Sequence, residues 1–531
     1  MLKSSRILFC FFLGFSILMV SCGGPAAVVS PQLQPSKTAP PETGDESPPT
    51  PLDKGGDSPT PLDEEGVGLP VPTSTLQAKP ADSYPKAADV LQVASGCSSS
   101  PLMESVLLSR FDQGRSTHLL TPVDPLSGQA LCDYQPVSTG LSASHAFGPD
   151  KGSAQTLALV VARQDDHSDG GLHLFDLANW QDQVTNIEIP SWVIAMTFNP
   201  QGTRLAIVYP EAGMEEDVWS NNSRMIVIDV VAGQVVAETV LPLTPRLLAF
   251  SEDSTSLMAY GVTNQDSSGL DGAARALLLD AASMEVVWEL ALETVADGQT
   301  RLYTSDGTEE YIWWGPAAVL SPEHQALFIV HADEDKLTSV DFSERIWDTV
   351  EIQPQLSWFE RLLSLTAGVA RAKVVDGTTK QAILSEDGKR LYIAGQTSET
   401  WQDENGNWQF SQTPLGLQVV DVPSGTEIAQ LDTEASELDL SPDGSHLYLH
   451  GWSGSGAWTE IVDLEKLEIV NRLVGRRLIP AARLNGEPVL LSSSSNSGAQ
   501  TTLAVFDPES LEEINKWWVW GYAEWVNPSS P

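Results

Sequence analysis

Beyond residue 100, apolar and polar residues alternate in short runs bounded by turn-forming residues. The stretch "LDLSPDGSHLYLHG" (438–451) is representative, with apolar positions at every second residue on both sides of Ser441-Pro442-Asp443-Gly444. Period-two runs flanking a Pro-Asp-Gly turn predict a β-hairpin with one buried face. Versions of the phrase recur at 145–152, 196–208, 248–260, 318–330 and 382–394, with a degenerate copy at 482–491.

A second phrase interleaves with the first: an apolar strand ending in Asp, a short turn, then another strand. It occurs eight times, ending its first strand at Asp124, Asp176, Asp229, Asp280, Asp341, Asp421, Asp463 and Asp507. An Asp in that place bonds backbone N–H groups just ahead of it and closes the hairpin without a partner side chain. Eight copies in one local context make these carboxylates turn builders rather than ligands.

Two hairpins make a four-stranded unit, and the units mostly lie 42–61 residues apart. A sheet of that size cannot bury both faces alone, so it packs on its neighbours, which predicts a β-propeller. Ser441–Gly444 and the Asp-x-x-x-Gly of Asp421–Gly425 resemble the YVTN-type and WD-repeat-like propeller families over nearly all of residues 100–531. The resemblance implies an all-β propeller and leaves function open. The Trp-Asp dipeptide occurs at Trp347-Asp348, out of register with WD repeats.

The first Asp phrase lacks an innermost strand before it, since "ESVLLSRF" (104–111) supplies only the second. "WGYAEWVNPSSP" (520–531) resembles the innermost-strand phrase and stops at its turn. The expected fold is therefore eight blades, one completed by the C-terminal strand, which removes the free sheet edges. Seven blades is the alternative if 104–136 packs outside the ring.

In this order the repetitive turns share one rim. The irregular loops share the opposite face, where binding normally resides. "TWQDENGNWQF" (400–410) reads as a hairpin around Asn405-Gly406. "SWFERLL" (357–363) has Ser357 and Glu360 at capping-box spacing and predicts a short helix. Trp219, Trp313, Trp314, Trp358, Trp401 and Trp408 are thus expected on one side among carboxylates, which suits sugars, cationic groups or basic peptides.

Charge narrows the partners. Acidic residues outnumber basic ones 71 to 29, a net charge of −42 that repels nucleic acid. The N-terminus adds an address: Lys3 and Arg6 precede an apolar run at 7–20 too short to span a bilayer comfortably. "MVSCGG" (19–24) resembles the lipobox of bacterial lipoproteins, which implies lipid on Cys22 after removal of residues 1–21. Residues 22–89 carry Pro, Thr, Ser and acid with one aromatic, Tyr84, and are expected to be a disordered linker before a propeller at 90–531. Outside the cytoplasm Cys97 and Cys132 are disulfide candidates, two separate thiols being the alternative.

Motifs of catalysis are sparse. "DENGN" (403–407) lacks the glycine and the downstream Glu of a calcium loop, and "HADED" (331–335) reads as an acidic loop. No His pair has metal spacing, and no nucleophile elbow or phosphate loop appears, so no metal, cofactor or catalytic residue is assigned. The reading is an extracytoplasmic, lipid-anchored, monomeric propeller that binds an envelope protein or glycan. The alternative is an enzyme or enzyme subunit acting on glycans or small molecules at the funnel.

Overall fold

The computed structural model describes residues 104–112, 117–130, 143–148, 156–161, 170–177, 181–189, 193–210, 223–263, 273–303, 309–353, 377–402, 408–453, 456–496, 500–520 and 523–526. Cys22, Cys97, Cys132, the linker and the 357–363 segment lie outside the described residues. No helix among the described residues is long and apolar enough to cross a membrane.

Eight sheets, antiparallel except for one added parallel pair, follow one another along the chain. Seven have four strands, and one is widened to seven strands by two separate additions. Blade 2 begins at Ala143–Gly148, blade 3 at Ala195–Phe198 and blade 4 at Thr244–Phe250. Blade 5 begins at Ala317–Ser321, blade 6 at Gly377–Leu384, blade 7 at Glu437–Leu440 and blade 8 at Ile479–Ala482. Each of these strands lies at the inner end of its blade, those of blades 2 to 7 pack against the first strand of the next blade, and Pro488–Asn496 of blade 8 packs against Ala523–Val526.

Blade 1 is assembled from both ends of the chain. Val106–Asp112 pairs on one side with Thr117–Asp124 and on the other with Ala523–Val526. The C-terminal strand thus supplies the innermost position, as the truncated phrase at 520–531 predicts.

The hydrophobic core is not one mass but eight clusters, one in each seam between adjacent blades. Alternation explains this: each strand sends apolar residues to both faces, and each face meets a neighbouring sheet. Two clusters shut the circle. One joins Val106 and Trp525 to Leu491 and Trp517 of blade 8. The other joins Leu107 and Val526 to Phe147 and Leu157 of blade 2. Eight blades is the outcome, and the seven-blade alternative is excluded.

The turn chemistry is equally regular. Seven of the eight repeated Asp residues accept a backbone N–H two or three residues ahead, as when the Ser283 N–H donates to Asp280 at 2.7 Å and the Lys466 N–H to Asp463 at 3.0 Å. The turn after Asp176 lies outside the described residues. Four residues beyond each of those seven Asp the backbone turns left-handed, at Gly128, Gly233 and Gly425 but also at Met284, Arg345, Leu467 and Leu511. On the same rim the Ser441 hydroxyl donates to Asp443 at 2.6 Å and accepts the His446 N–H at 2.9 Å. Ser385 and Ser251 repeat that arrangement.

Candidate functional site

Opposite the self-capped turns, the connection from blade 4 to blade 5 departs from the repeat. This crossover, residues 293–316, falls outside the repeated phrases and contains a hairpin of Gly298–Tyr303 and Glu309–Gly315. Its second strand pairs in parallel with the innermost strand of blade 6, Trp314 opposite Thr378 and Gly315 opposite Thr379. The hairpin is therefore added on the channel side of that blade. Two glycines allow the close approach, since a Cβ on Gly377 would lie 2.9 Å from the Trp313 carbonyl oxygen and one on Gly315 would lie 3.1 Å from Thr379.

This anchoring decides the fate of the candidate tryptophans. Trp313 is 41% exposed and Trp314 is half-buried beside it. Trp401 and Trp408 sit on a second extension of blade 6, where Arg390–Gln402 pairs with Trp408–Pro414 and the register sets Trp401 opposite Gln409 and Trp408 opposite Gln402. Both extensions belong to one sheet. Trp219 and Trp358 lie outside the described residues, as does the 403–407 turn.

Around the hairpin, polar side chains are held in place by burial and pairing. Lys380, near the start of blade 6, donates to the His331 carbonyl at 2.6 Å. Burial pulls its ammonium below the ordinary lysine range, against Asp335 and Asp333, which raise it. The buried His331 ring contacts the Thr338 hydroxyl at 2.8 Å, and Thr338 contacts Thr349 at 2.8 Å. Burial likewise lowers the His331 pKa, opposed by Asp333 and Glu334. Among the described residues no group of three or more His, Cys, Asp or Glu is placed to hold a metal ion.

Asp297, just past the last strand of blade 4, is buried between Arg246 at 2.6 Å and the Tyr260 hydroxyl, which donates to it at 2.8 Å. Burial raises the Asp297 pKa against the pull of Arg246. Burial, then the Asp297 charge, sends the Tyr260 phenol well above its ordinary value. In blade 7, Glu460 accepts from the Thr433 hydroxyl at 2.5 Å and pairs with Arg472 at 3.2 Å, whose guanidinium lies 4.4 Å from the Trp458 ring centre.

One constellation has the look of a hydrolytic triad: Asp439, His450 and Thr459, linked at 3.0 and 3.1 Å. It is a strut. Thr459 is fully buried, donates to the Arg476 carbonyl at 3.1 Å and accepts the Leu478 N–H at 2.9 Å. With its hydroxyl proton and lone pairs engaged, it fastens the crossover to blade 8 and has no access to a substrate carbonyl. These networks escaped sequence reasoning because their partners stand in different strands and no local spacing marks them. Trp452, 68% exposed on the strand leading to the same face of blade 7, was also missed, for it continues an ordinary alternating run.

The fold is a β-propeller. No protein-family model matches the chain, and neither does any curated protein. Among solved structures, the dihydro-heme d1 dehydrogenase NirN in complex with DHE is similar at TM-score 0.48 and 13% identity, over 85% of this chain and 79% of that one. Apo AztD from Citrobacter koseri is similar at TM-score 0.43 and 11% identity, over 79% and 97% of the two chains. Kuenenia stuttgartiensis hydrazine synthase follows at 0.36 and 13%, over 71% and 94%. Likeness at these scores carries no argument about this chain, whose architecture rests on its own strand pairing.

Proposed function

We propose that this propeller is a binding module of a bacterial envelope, held outside the cytoplasm by lipid on Cys22 and taking a protein or glycan partner on its irregular face. The lipidation motif and the acidic, proline-rich segment after it support the tether. The observation that carries the binding role is the inserted hairpin, anchored backbone to backbone on blade 6 and leaving Trp313 exposed above the channel edge. An aromatic held by ladder hydrogen bonds loses little freedom on binding, which favours recognition.

Two experiments test the reading. Cys22→Ser should move the full-length protein from the membrane to the soluble extracytoplasmic fraction; unchanged fractionation rejects the lipid anchor. Crosslinking and capture from envelope extracts should recover a partner with the unaltered protein and lose most of it with Trp313→Ala. Trp347→Ala is the control, since Trp347 is 49% exposed at the start of an outer strand on the rim of the turns. Equal recovery with both variants rejects the assigned face.

A further inference from the structure

The seam between blades 7 and 8 has the smallest buried apolar cluster of the eight, with that between blades 5 and 6 next at seven residues. The smallest has six residues, Tyr448, Ile461, Leu478, Leu490, Ala504 and Phe506, against thirteen in the seam between blades 8 and 1. The ladders show where the apolar surface stops. Leu490 and Phe506 stand opposite each other near the turn rim, but further along the same face Ser492 opposes Ala504, Ser494 opposes Thr502, and Lys516 and Trp518 follow on the outer strand. A face that starts as core thus ends as hydroxyls, an ammonium and an indole.

The result is a cavity of 250 Å³ whose lining includes Arg476, Ser492, Ser494, Thr502, Lys516 and Trp518. Arg476 is already committed, 2.9 Å from Glu513 and stacked over the Phe506 ring at 5.2 Å. Lys516 is half-buried, and no described residue pairs with its ammonium. That is unusual in a chain with 29 basic and 71 acidic residues. The nearby arginines each hold a Glu: Arg472 with Glu460, Arg477 with Glu437 and Arg483 with Glu487. Nor do the side-chain hydroxyls of Ser492, Ser494 and Thr502 bond any other described residue.

A partly desolvated ammonium gains from an anion placed beside it. Three uncommitted hydroxyls in the same lining match a hydroxylated ligand, and an indole offers apolar surface to the ring that carries those groups. The volume corresponds to about eight liquid waters, below the roughly 300–1,000 Å³ of a drug-sized pocket. The geometry points to a small-molecule site for a carboxylate-bearing monosaccharide unit, its carboxylate at Lys516, its hydroxyls at Ser492, Ser494 and Thr502, and its ring against Trp518. The site shares nothing with the Trp313 hairpin, so either can fail without the other.

The test is isothermal titration of the detergent-solubilised full-length protein with D-glucuronate and with D-glucose. D-Glucuronate should bind saturably and D-glucose about tenfold or more weakly. Lys516→Gln should weaken D-glucuronate about tenfold while leaving D-glucose unchanged, and Lys516→Arg should restore binding. Urea unfolding of each variant shows that the ring is intact, and Thr502→Val, far from the ammonium in chemistry, should weaken both sugars together. Absence of saturable D-glucuronate binding, equal affinity for D-glucose, or a folded Lys516→Gln variant that binds D-glucuronate unchanged would each overturn the proposal.

Discussion

Trp525 stands opposite Leu108 in the antiparallel ladder that joins the two ends of the chain, and its indole N–H is donated to the Ser492 carbonyl of blade 8 at 3.0 Å. One side chain thus holds the C-terminal strand both to the N-terminal segment and to the neighbouring blade. Its burial in the shared cluster ties closure of the ring to the packing of two sheets.

Trp525→Ala should therefore destabilise the propeller by about 3–5 kcal/mol, the cost typical of emptying a buried aromatic site. Removal of residues 523–531 should do more, because blade 1 would then present an unpaired inner edge. Urea unfolding followed by far-ultraviolet circular dichroism checks both. A truncated chain that unfolds at the same midpoint would contradict the closure.

The left-handed residues offer a stabilising change. Arg345 is exposed and adopts a φ of 58° at the position where Gly425 and Gly233 serve in other blades. Arg345→Gly should raise stability by roughly 1 kcal/mol, since a side chain is disfavoured in that conformation. Gly425→Ala should lower it, for φ is 64° there and a Cβ would sit 2.7 Å from Val350. Thermal unfolding of the two variants should shift in opposite directions.

Thr459→Val keeps the shape of a fully buried residue while removing the hydroxyl that serves His450, Arg476 and Leu478. The expected loss is about 2 kcal/mol, because a backbone N–H and a ring nitrogen are left unsatisfied inside the protein. Urea midpoints measure it; a neutral outcome would mean that the crossover is held by other contacts.

Acid should unfold the ring in two stages. Burial lowers the His331 pKa, so its share of stability is complete above the ordinary histidine value of about 6.5 and fades as pH falls through its lower folded value. The turn carboxylates act further down. The Ser251 and Ser385 hydroxyls hold Asp253 and Asp387 below the ordinary range, and the Ser283 and Ser510 N–H groups do the same for Asp280 and Asp507. Their contribution is present above about pH 4 and lost below it as those carboxylates protonate. Asp297, raised by burial, works in the opposite sense. Urea midpoints from pH 8 to pH 3 should decline first below pH 6.5 and again below pH 4, and His331→Gln should flatten the first decline.

Much of this fold is legible in the chain because each blade is written locally. Asp463 bonds N–H groups two and three residues ahead, and Ser441 bonds Asp443, so no distant partner is needed to form the turns. The site is less legible for the converse reason. Asp297 finds Tyr260 and Arg246 on other strands, and Lys516 is notable for the lack of a partner that only the packed seam reveals. The 293–316 crossover is intermediate. Its alternating "RLY" and "EYIWW" runs carry strand character, but the edge that they join lies on a blade reached more than 60 residues later.

By itself the sequence determined the blade and pointed to eight copies closed by the two chain ends, with seven excluded only by the strand pairing, since alternation and self-capped turns act over a few residues. Tertiary structure alone decided which carboxylates are buried, that the hairpin of Trp313 leans on the channel edge of blade 6, and that one seam runs short of apolar surface. Those outcomes depend on which faces meet when the circle shuts. A short stretch of chain specifies its own turn, whereas desolvation and pairing are set by neighbours that arrive from elsewhere in the ring.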